Sequence, residues 1–168
     1  MDSMFYNCDV LQTIPLFDTS KVTNMNSMFY STARATVMPK INTENVIIFS
    51  NFCNLSNFEK VEELNVKSAV WFQGVFYSNR NLSYILLKNF GTQNNIILTS
   101  QTFIETIWGQ GSDENRQSLV DSLLTYSFDR ATAGYSTLTI KLPTASLALL
   151  TDAEKAAITA KGYTLTAE

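Results

Sequence analysis

Four short segments answer one another along the chain: Met4-Phe5-Tyr6-Asn7, Met28-Phe29-Tyr30-Ser31, Asn51-Phe52-Cys53-Asn54 and Val75-Phe76-Tyr77-Ser78, their phenylalanines separated by a nearly constant step. Counting from each Phe, an apolar residue returns six positions on, at Leu11, Ala35, Phe58 and Leu82, and nine on, at Ile14, Met38, Val61 and Ile85. Phe17, Ile41 and Leu64 stand twelve on, Val22, Val46 and Ala69 seventeen on, and Met25, Phe49 and Phe72 twenty on. Polar marks agree as well: Asp18 with Asn42 and Asn65, Thr19 with Thr43, Pro15 with Pro39. The fourth unit departs from the pattern. Lys88 stands twelve on and the next phenylalanine, Phe103, arrives three positions late after Phe76, which reads as an insertion of that length near Asn89 to Gln93.

A unit this short cannot bury its own apolar face, so a core arises only where units stack. The expected fold is α/β: a right-handed solenoid of leucine-rich-repeat type, with short parallel strands, helical or turn-like returns and an α/β C-terminal cap. About four repeats, each roughly 23–27 residues long, fill residues 1–107. In the first, Leu11 to Leu16 is the expected strand and Asn24 to Phe29 the expected return. Phe29, Phe52 and Phe76 are expected to form a buried stack, and Trp71 and Trp108 to be core residues. The 168 residues fit one domain, of a size that buries roughly 70% of its unfolded surface.

Residues 108–168 form the expected cap, helix-strand-helix-strand, continuing the solenoid. Gly109-Gln110-Gly111-Ser112-Asp113 reads as a turn, and Leu119, Val120, Leu123 and Leu124 put an apolar stripe on a helix from about 114 to 126, packed on the last repeat. Thr137 to Leu142 alternates polar and apolar, the period of a strand adding to the repeat sheet, and Pro143 ends it. Thr151-Asp152-Ala153-Glu154 has capping-box spacing, and Lys161-Gly162 supplies a stop, which predicts a helix over 152–161. Tyr163 to Thr166 is the last expected strand. No N-terminal cap is visible, because the chain enters the Phe-containing turn at residue 4.

Composition narrows function by exclusion. The chain has no histidine, which removes the commonest general base, the Ser-His and Cys-His nucleophile pairs and imidazole ligands. Glu62-Glu63 and Asp113-Glu114 are adjacent in sequence and point apart if extended, unlike the spaced carboxylates of glycoside hydrolysis or a calcium loop. Gly109-Gln110-Gly111 lacks the rest of a phosphate loop. A non-enzymatic chain without cofactor or metal is expected. Twelve scattered Lys and Arg against 15 Asp and Glu, net −3, give no footprint for nucleic acid. The longest apolar runs, such as Ala69 to Phe72, are far short of a membrane span. Met1-Asp2-Ser3-Met4-Phe5 lacks the features of a signal peptide, and Cys8 and Cys53 read as buried free thiols. The sequons at Asn54 and Asn81 matter only in a glycosylating cell.

Phe17-Asp18-Thr19-Ser20-Lys21-Val22-Thr23-Asn24-Met25-Asn26-Ser27-Met28-Phe29 resembles the repeat of the BspA-like leucine-rich-repeat surface proteins of bacteria. The likeness runs from about residue 4 to 103 and thins at Thr43 to Val46 and Asn65 to Ser68. The resemblance implies an adhesion module, extracellular or at the cell surface, of bacterial or phage origin.

What remains is surface. Side chains alternate along a strand, so residues eight and ten after each Phe point outward. That column is Thr13 and Pro15, Val37 and Pro39, Lys60 and Glu62, Tyr84 and Leu86, several of them apolar where a solvated sheet is polar. It is the expected docking face for a host protein or glycan, with ordinary scaffold as the alternative reading. A structural or assembly module, self-associating through the open N-terminal repeat, is the second functional expectation.

Overall fold

The computed structural model describes residues 1–79, 81–93, 96 and 112–167. From Met1 to Ser78 the chain runs in coils that lie one on another. Around the Phe-containing turns, backbone N–H groups of each coil donate to carbonyls of the next, while elsewhere Ile47, Glu59 and Val70 N–H donate back to Thr23, Thr36 and Ile47 of the coil before. Ser3, Phe5 and Asn7 donate to Asn26, Met28 and Tyr30, all at 2.9 Å. Met25, Ser27, Phe29 and Ser31 donate to Ile48, Ser50, Phe52 and Asn54, and Phe49, Asn51, Cys53 and Leu55 to Trp71, Gln73, Val75 and Tyr77. Intervening N–H groups fold back within their own coil, as Met28 to Met25 and Tyr30 to Ser27, so the return is a run of tight turns.

Such turns need left-handed corners, found at Ser3, Ser27, Asn51 and Gly74 and again at Asn7, Ser31, Leu55 and Ser78. Glycine and short polar residues tolerate that backbone best. The corners also set the register. In both sets the one short step falls between the third and fourth coils, whereas among the phenylalanines it falls between the second and third. The column holding Phe5, Phe29 and Phe76 is therefore filled in the third coil by Cys53, and Phe52 takes the place of Met4, Met28 and Val75. Phe29, Phe52 and Phe76 are all fully buried, as expected, but Phe52 stands one column over, so the rings form a staggered network and not a single stack. Phe5 stacks on Phe29 at 5.5 Å, while Phe29 meets Phe52 edge-on at 5.3 Å and Phe58 at 5.7 Å. Volume explains the slip. The coil with a thiol in the Phe column carries the largest residue, Phe58, where its neighbours have Leu11, Ala35 and Leu82.

Two coils form true strands, β1 (Lys60–Asn65) and β2 (Tyr84–Lys88), paired in parallel. The strand expected at Leu11 to Leu16 is absent, and the second coil contributes only the bridge Val37 to Lys60. Pro15 and Pro39 stand where β1 and β2 have Glu62 and Leu86, and proline has no N–H to give a ladder. In β1 the pairing passes from Val61↔Ile85 to Leu64↔Leu87, so Glu62 and Glu63 share one position. That bulge makes Lys88 look like a break in the repeat, whereas Leu87, fully buried, succeeds Leu64. The reach of the expected insertion to Phe103 lies outside the described residues.

The shared polar marks close turns between coils. Asp18, Asn42 and Asn65 accept from the N–H two residues on, and the hydroxyls of Thr19 and Thr43 donate to the carbonyls of Asn42 and Asn65.

After the repeats come α1 (Asp113–Leu119), continuing as a π-helix over Val120–Thr125, then β3 (Leu138–Leu142), α2 (Thr144–Leu149), α3 (Asp152–Ala160) and β4 (Tyr163–Ala167). Ser112 caps α1, and Thr151 with Glu154 forms the capping box of α3. The short α2 departs from the expected order; Pro143, read as a strand end, also stands where a helix begins.

β3 does not join the repeat sheet, as expected from its alternation, but pairs in parallel with β4. The edge of β2 is already occupied. Ser118 and Ser122, one turn apart on the helical segment, stand where a strand would be. Ile85 N–H donates to Ser118 Oγ and Leu87 N–H to Ser122 Oγ, both at 3.0 Å, and the two hydroxyls donate to the Ile85 carbonyl at 2.6 and 3.0 Å. Asn115 Nδ2 adds a bond to the Ser83 carbonyl.

Two buried side chains join cap to repeats. Arg130, 1% exposed, donates from Nη1 to the carbonyls of Gly91 and Gln93 at 2.6 and 3.0 Å, and from Nε and Nη2 to Ser136. Tyr163 Oη lies 2.7 and 2.8 Å from the carbonyls of Phe90 and Phe128. Gly91, at φ +81°, leaves room for it: a Cβ there would fall 2.3 Å from that oxygen.

Burial pushes the Tyr163 phenol up to about 12, from an ordinary value of 10.0. The folded state thus holds this proton where the unfolded chain has lost it. The resulting stability is fully present below pH 10 and is lost as pH rises through about 12. Urea midpoints measured from pH 8 to 12 should fall less steeply for Tyr163→Phe than for the parent across the upper part of that range. Parallel profiles would place the alkaline loss elsewhere.

Candidate functional site

The eight residues of the outward column lie along the strand side of the stack, and none is buried. Thr13, Pro15, Val37, Lys60 and Glu62 are exposed, while Pro39, Tyr84 and Leu86 are half-buried. Val37 shows 70% of its surface although Met38 beside it shows 4%, as strand alternation requires.

The rows carry different chemistry. The first two coils present Thr13, Pro15, Val37 and Pro39, small and uncharged. The third is charged, through Lys60 and Glu62, and the fourth presents Tyr84 and Leu86. Lys60 Nζ sits 5.2 Å above the Tyr84 ring, and Glu63 lies between Lys40 at 3.9 Å and Lys88 at 3.7 Å. Such exposed pairs add little stability but fix a pattern of charge. Tyr84 Oη donates to Asp121 at 2.9 Å, so the cap closes the far side of the face. Burial first, then the bonded Asp121 carboxylate, pushes the Tyr84 phenol up to about 12. Sequence reasoning missed Asp121, Glu63, Lys40 and Lys88. Asp121 comes from the π-helix, 37 residues from Tyr84, and no local pattern points to it.

A second apolar surface lies on the turn side. Ile47 and Trp71 are 41% and 44% exposed, with Ile48 and Val70 half-buried beside them. Val70 and Trp71 N–H both donate to the Ile47 carbonyl, and Ile48 bridges to Trp71. The expectation that Trp71 belongs to the core is thus corrected. It shares a column with Asn24 and Ile48, which the inter-coil bridges turn outward, while Phe72 takes the inward slot. Trp108 and Gly109 to Gly111 lie outside the described residues.

Cys53 is a buried free thiol that burial pushes well above its ordinary value, but Cys8 is only half-buried. Asp113 and Glu114 are exposed in the first turn of α1. In the first sequon Asn54 and Ser56 are buried and Leu55 is exposed, and Asn81 of the second is exposed. Among the described residues, no three His, Cys, Asp or Glu side chains gather as a metal site, and no helix is long and apolar enough to cross a membrane.

Residues 1–107, which carry the repeat and all eight face residues, match the sequence profile of a family described as Mycoplasma protein of unknown function, DUF285. The chain belongs to that family. No curated protein and no solved structure matches it. In this DUF285 chain the match ends ahead of α1, so Asp121 and the edge-blocking serines are contributed from beyond the matched segment.

Proposed function

We propose that this DUF285 chain is a non-enzymatic binding module at a cell surface, a BspA-like leucine-rich-repeat solenoid that docks a host protein or glycan through its strand-side face. The observation that carries the reading is the exposure of Val37 and Pro15 beside the charged row of Lys60, Glu62 and Glu63. An apolar column rimmed by charge, running across consecutive coils, is the composition of an interaction surface. The resemblance of residues 17 to 29 to the BspA-like repeat supports placement outside the cell.

The purified chain is tested on intact host cells, matrix proteins and a glycan array, beside a Val37→Glu, Lys60→Ala variant. Both side chains are exposed, so the variant should keep the parent's circular dichroism and melting curve. Loss of two central contacts should weaken binding by about tenfold or more. A folded variant that binds as well as the parent removes this face from the reading. A parent that binds nothing removes adhesion.

A further inference from the structure

Tyrosine stands at one position of the Phe-containing turn in the first, second and fourth coils. The left-handed corners Asn7, Ser31, Leu55 and Ser78 directly follow Tyr6, Tyr30, Asn54 and Tyr77, and the N–H groups of Asn7, Ser31 and Leu55 donate to the carbonyls of Tyr30, Asn54 and Tyr77. These four residues are therefore one column. The slip that sets Cys53 among the phenylalanines also sets Asn54 among the tyrosines.

Where two tyrosines follow each other, their rings stack. Tyr6 and Tyr30 lie 4.8 Å apart and 12° from parallel, which is a single coil step of about 4.8 Å. Tyr30 and Tyr77 are two steps apart, so their positions are separated by roughly 9–10 Å across the third coil. That interval is one ring wide. A ring at its middle would stand from each tyrosine as Tyr6 stands from Tyr30.

Asn54 does not fill it. Its side chain is short and turns along its own coil, where Nδ2 donates to Asn51 Oδ1 at 3.2 Å. Gly74 leaves room for that pair, since a Cβ there would fall 2.5 Å from the same Asn51 oxygen. Asn54 is only 9% exposed and its Oδ1 meets no donor, which leaves an acceptor for a hydroxyl once the amide turns. Tyr77 is 40% exposed and Leu55, at the neighbouring corner, 46%, so the rim of the interval meets solvent.

We infer that the gap over Asn54 is a binding site for one pyranose ring, held between Tyr30 and Tyr77. The ligand class follows from walls and floor together. The negative faces of two phenols attract the C–H faces of a sugar, and the phenol hydroxyls donate to and accept from its hydroxyls. The floor adds an amide with an unpaired acceptor. A flat hydrocarbon ring would use the walls and leave that oxygen unpaired. The site lies on the turn side of the stack, goes beyond the strand-side reading and does not rest on it.

The probes are methyl glucoside, methyl galactoside and methyl mannoside, with p-cresol as the flat-ring comparison, each followed by saturation-transfer NMR on the full chain. One sandwiched ring should bind with a roughly millimolar Kd. Tyr77→Ala removes a wall at an exposed position and should lower the transfer about fivefold or more while circular dichroism stays unchanged. Asn54→Tyr closes the gap with the ring that the other coils carry and should abolish the transfer. The Val37→Glu, Lys60→Ala protein, altered on the strand side, should keep it. Sugar transfer that survives Tyr77→Ala in a folded protein overturns the site, as does transfer lost in the strand-side variant, which would assign the sugar to that face. Absence of transfer to all three glycosides overturns it as well, and p-cresol binding in their place would make the gap a seat for an aromatic side chain.

Discussion

Arg130→Met should cost about 4 kcal/mol of stability, because breaking a buried charged hydrogen-bonding set leaves its partners desolvated and unpaired. Methionine refills much of the volume but donates nothing to the carbonyls of Gly91, Gln93 and Ser136. Those carbonyls belong to two bodies of sequence, the fourth repeat and the loop ahead of β3, so the loss should be felt as loosening between repeats and cap. Arg130→Lys separates charge from geometry. It keeps a cation, but a single ammonium cannot reproduce a planar fork aimed at both sides, and it should recover only part of the loss. Urea unfolding of the three proteins measures the effect. A loss under about 1 kcal/mol for methionine would mean that other donors re-satisfy the carbonyls, and the clamp would be no clamp.

The second large effect is expected at the edge of β2. Ser118→Ala together with Ser122→Ala strips the hydroxyls that Ile85 and Leu87 N–H donate to, in a buried setting where each orphaned group costs about 1–3 kcal/mol. Roughly 3 kcal/mol is expected for the pair. The singles should not add to the double, since both hydroxyls also reach the Ile85 carbonyl. Hydrogen exchange gives a local reading: the Ile85 and Leu87 amides should lose protection in the double variant before the rest of β1 and β2. An edge left with free N–H groups also invites pairing with another chain, so the double variant should associate at lower concentration than the parent. If both amides stay protected and the midpoint does not move, the serines are not what closes this end.

The family match and the closure of the fold involve different parts of the chain. DUF285 membership covers the repeats, while the closure of the stack rests on residues beyond residue 107. The face we propose for docking, with Val37, Lys60 and Tyr84, therefore takes part of its frame, through Asp121, from a segment the family profile does not span.

Much of the inward pattern was legible in the sequence. The slots nine, seventeen and twenty after each Phe could be read directly because an apolar side chain that returns once in every repeat has one place to go once coils stack. Ile14, Met38, Val61 and Ile85 are all buried, as are Met25, Phe49 and Phe72. The capping box at Thr151 was equally plain, because its bonds lie within a single helical turn. The outward position of Val37 follows from the same alternation that buries Met38.

Other features depended on contacts that no local pattern encodes. The place of Cys53 in the phenylalanine column was decided by corners whose register appears only when coils are laid on one another. The loss of strands in the first two coils followed from what proline fails to donate to a neighbour, and the exposure of Trp71 from which of two adjacent aromatics the bridge turned inward. Diversion of β3 away from the repeat sheet was a competition for one edge, won by two hydroxyls far along the chain from the amides they meet. Sequence alone determined the period and the apolar slots, because burial repeats where covalent spacing repeats. Tertiary structure decided register, edges and ends, because a hydrogen bond between coils depends on which groups are left over after every nearer partner has been taken.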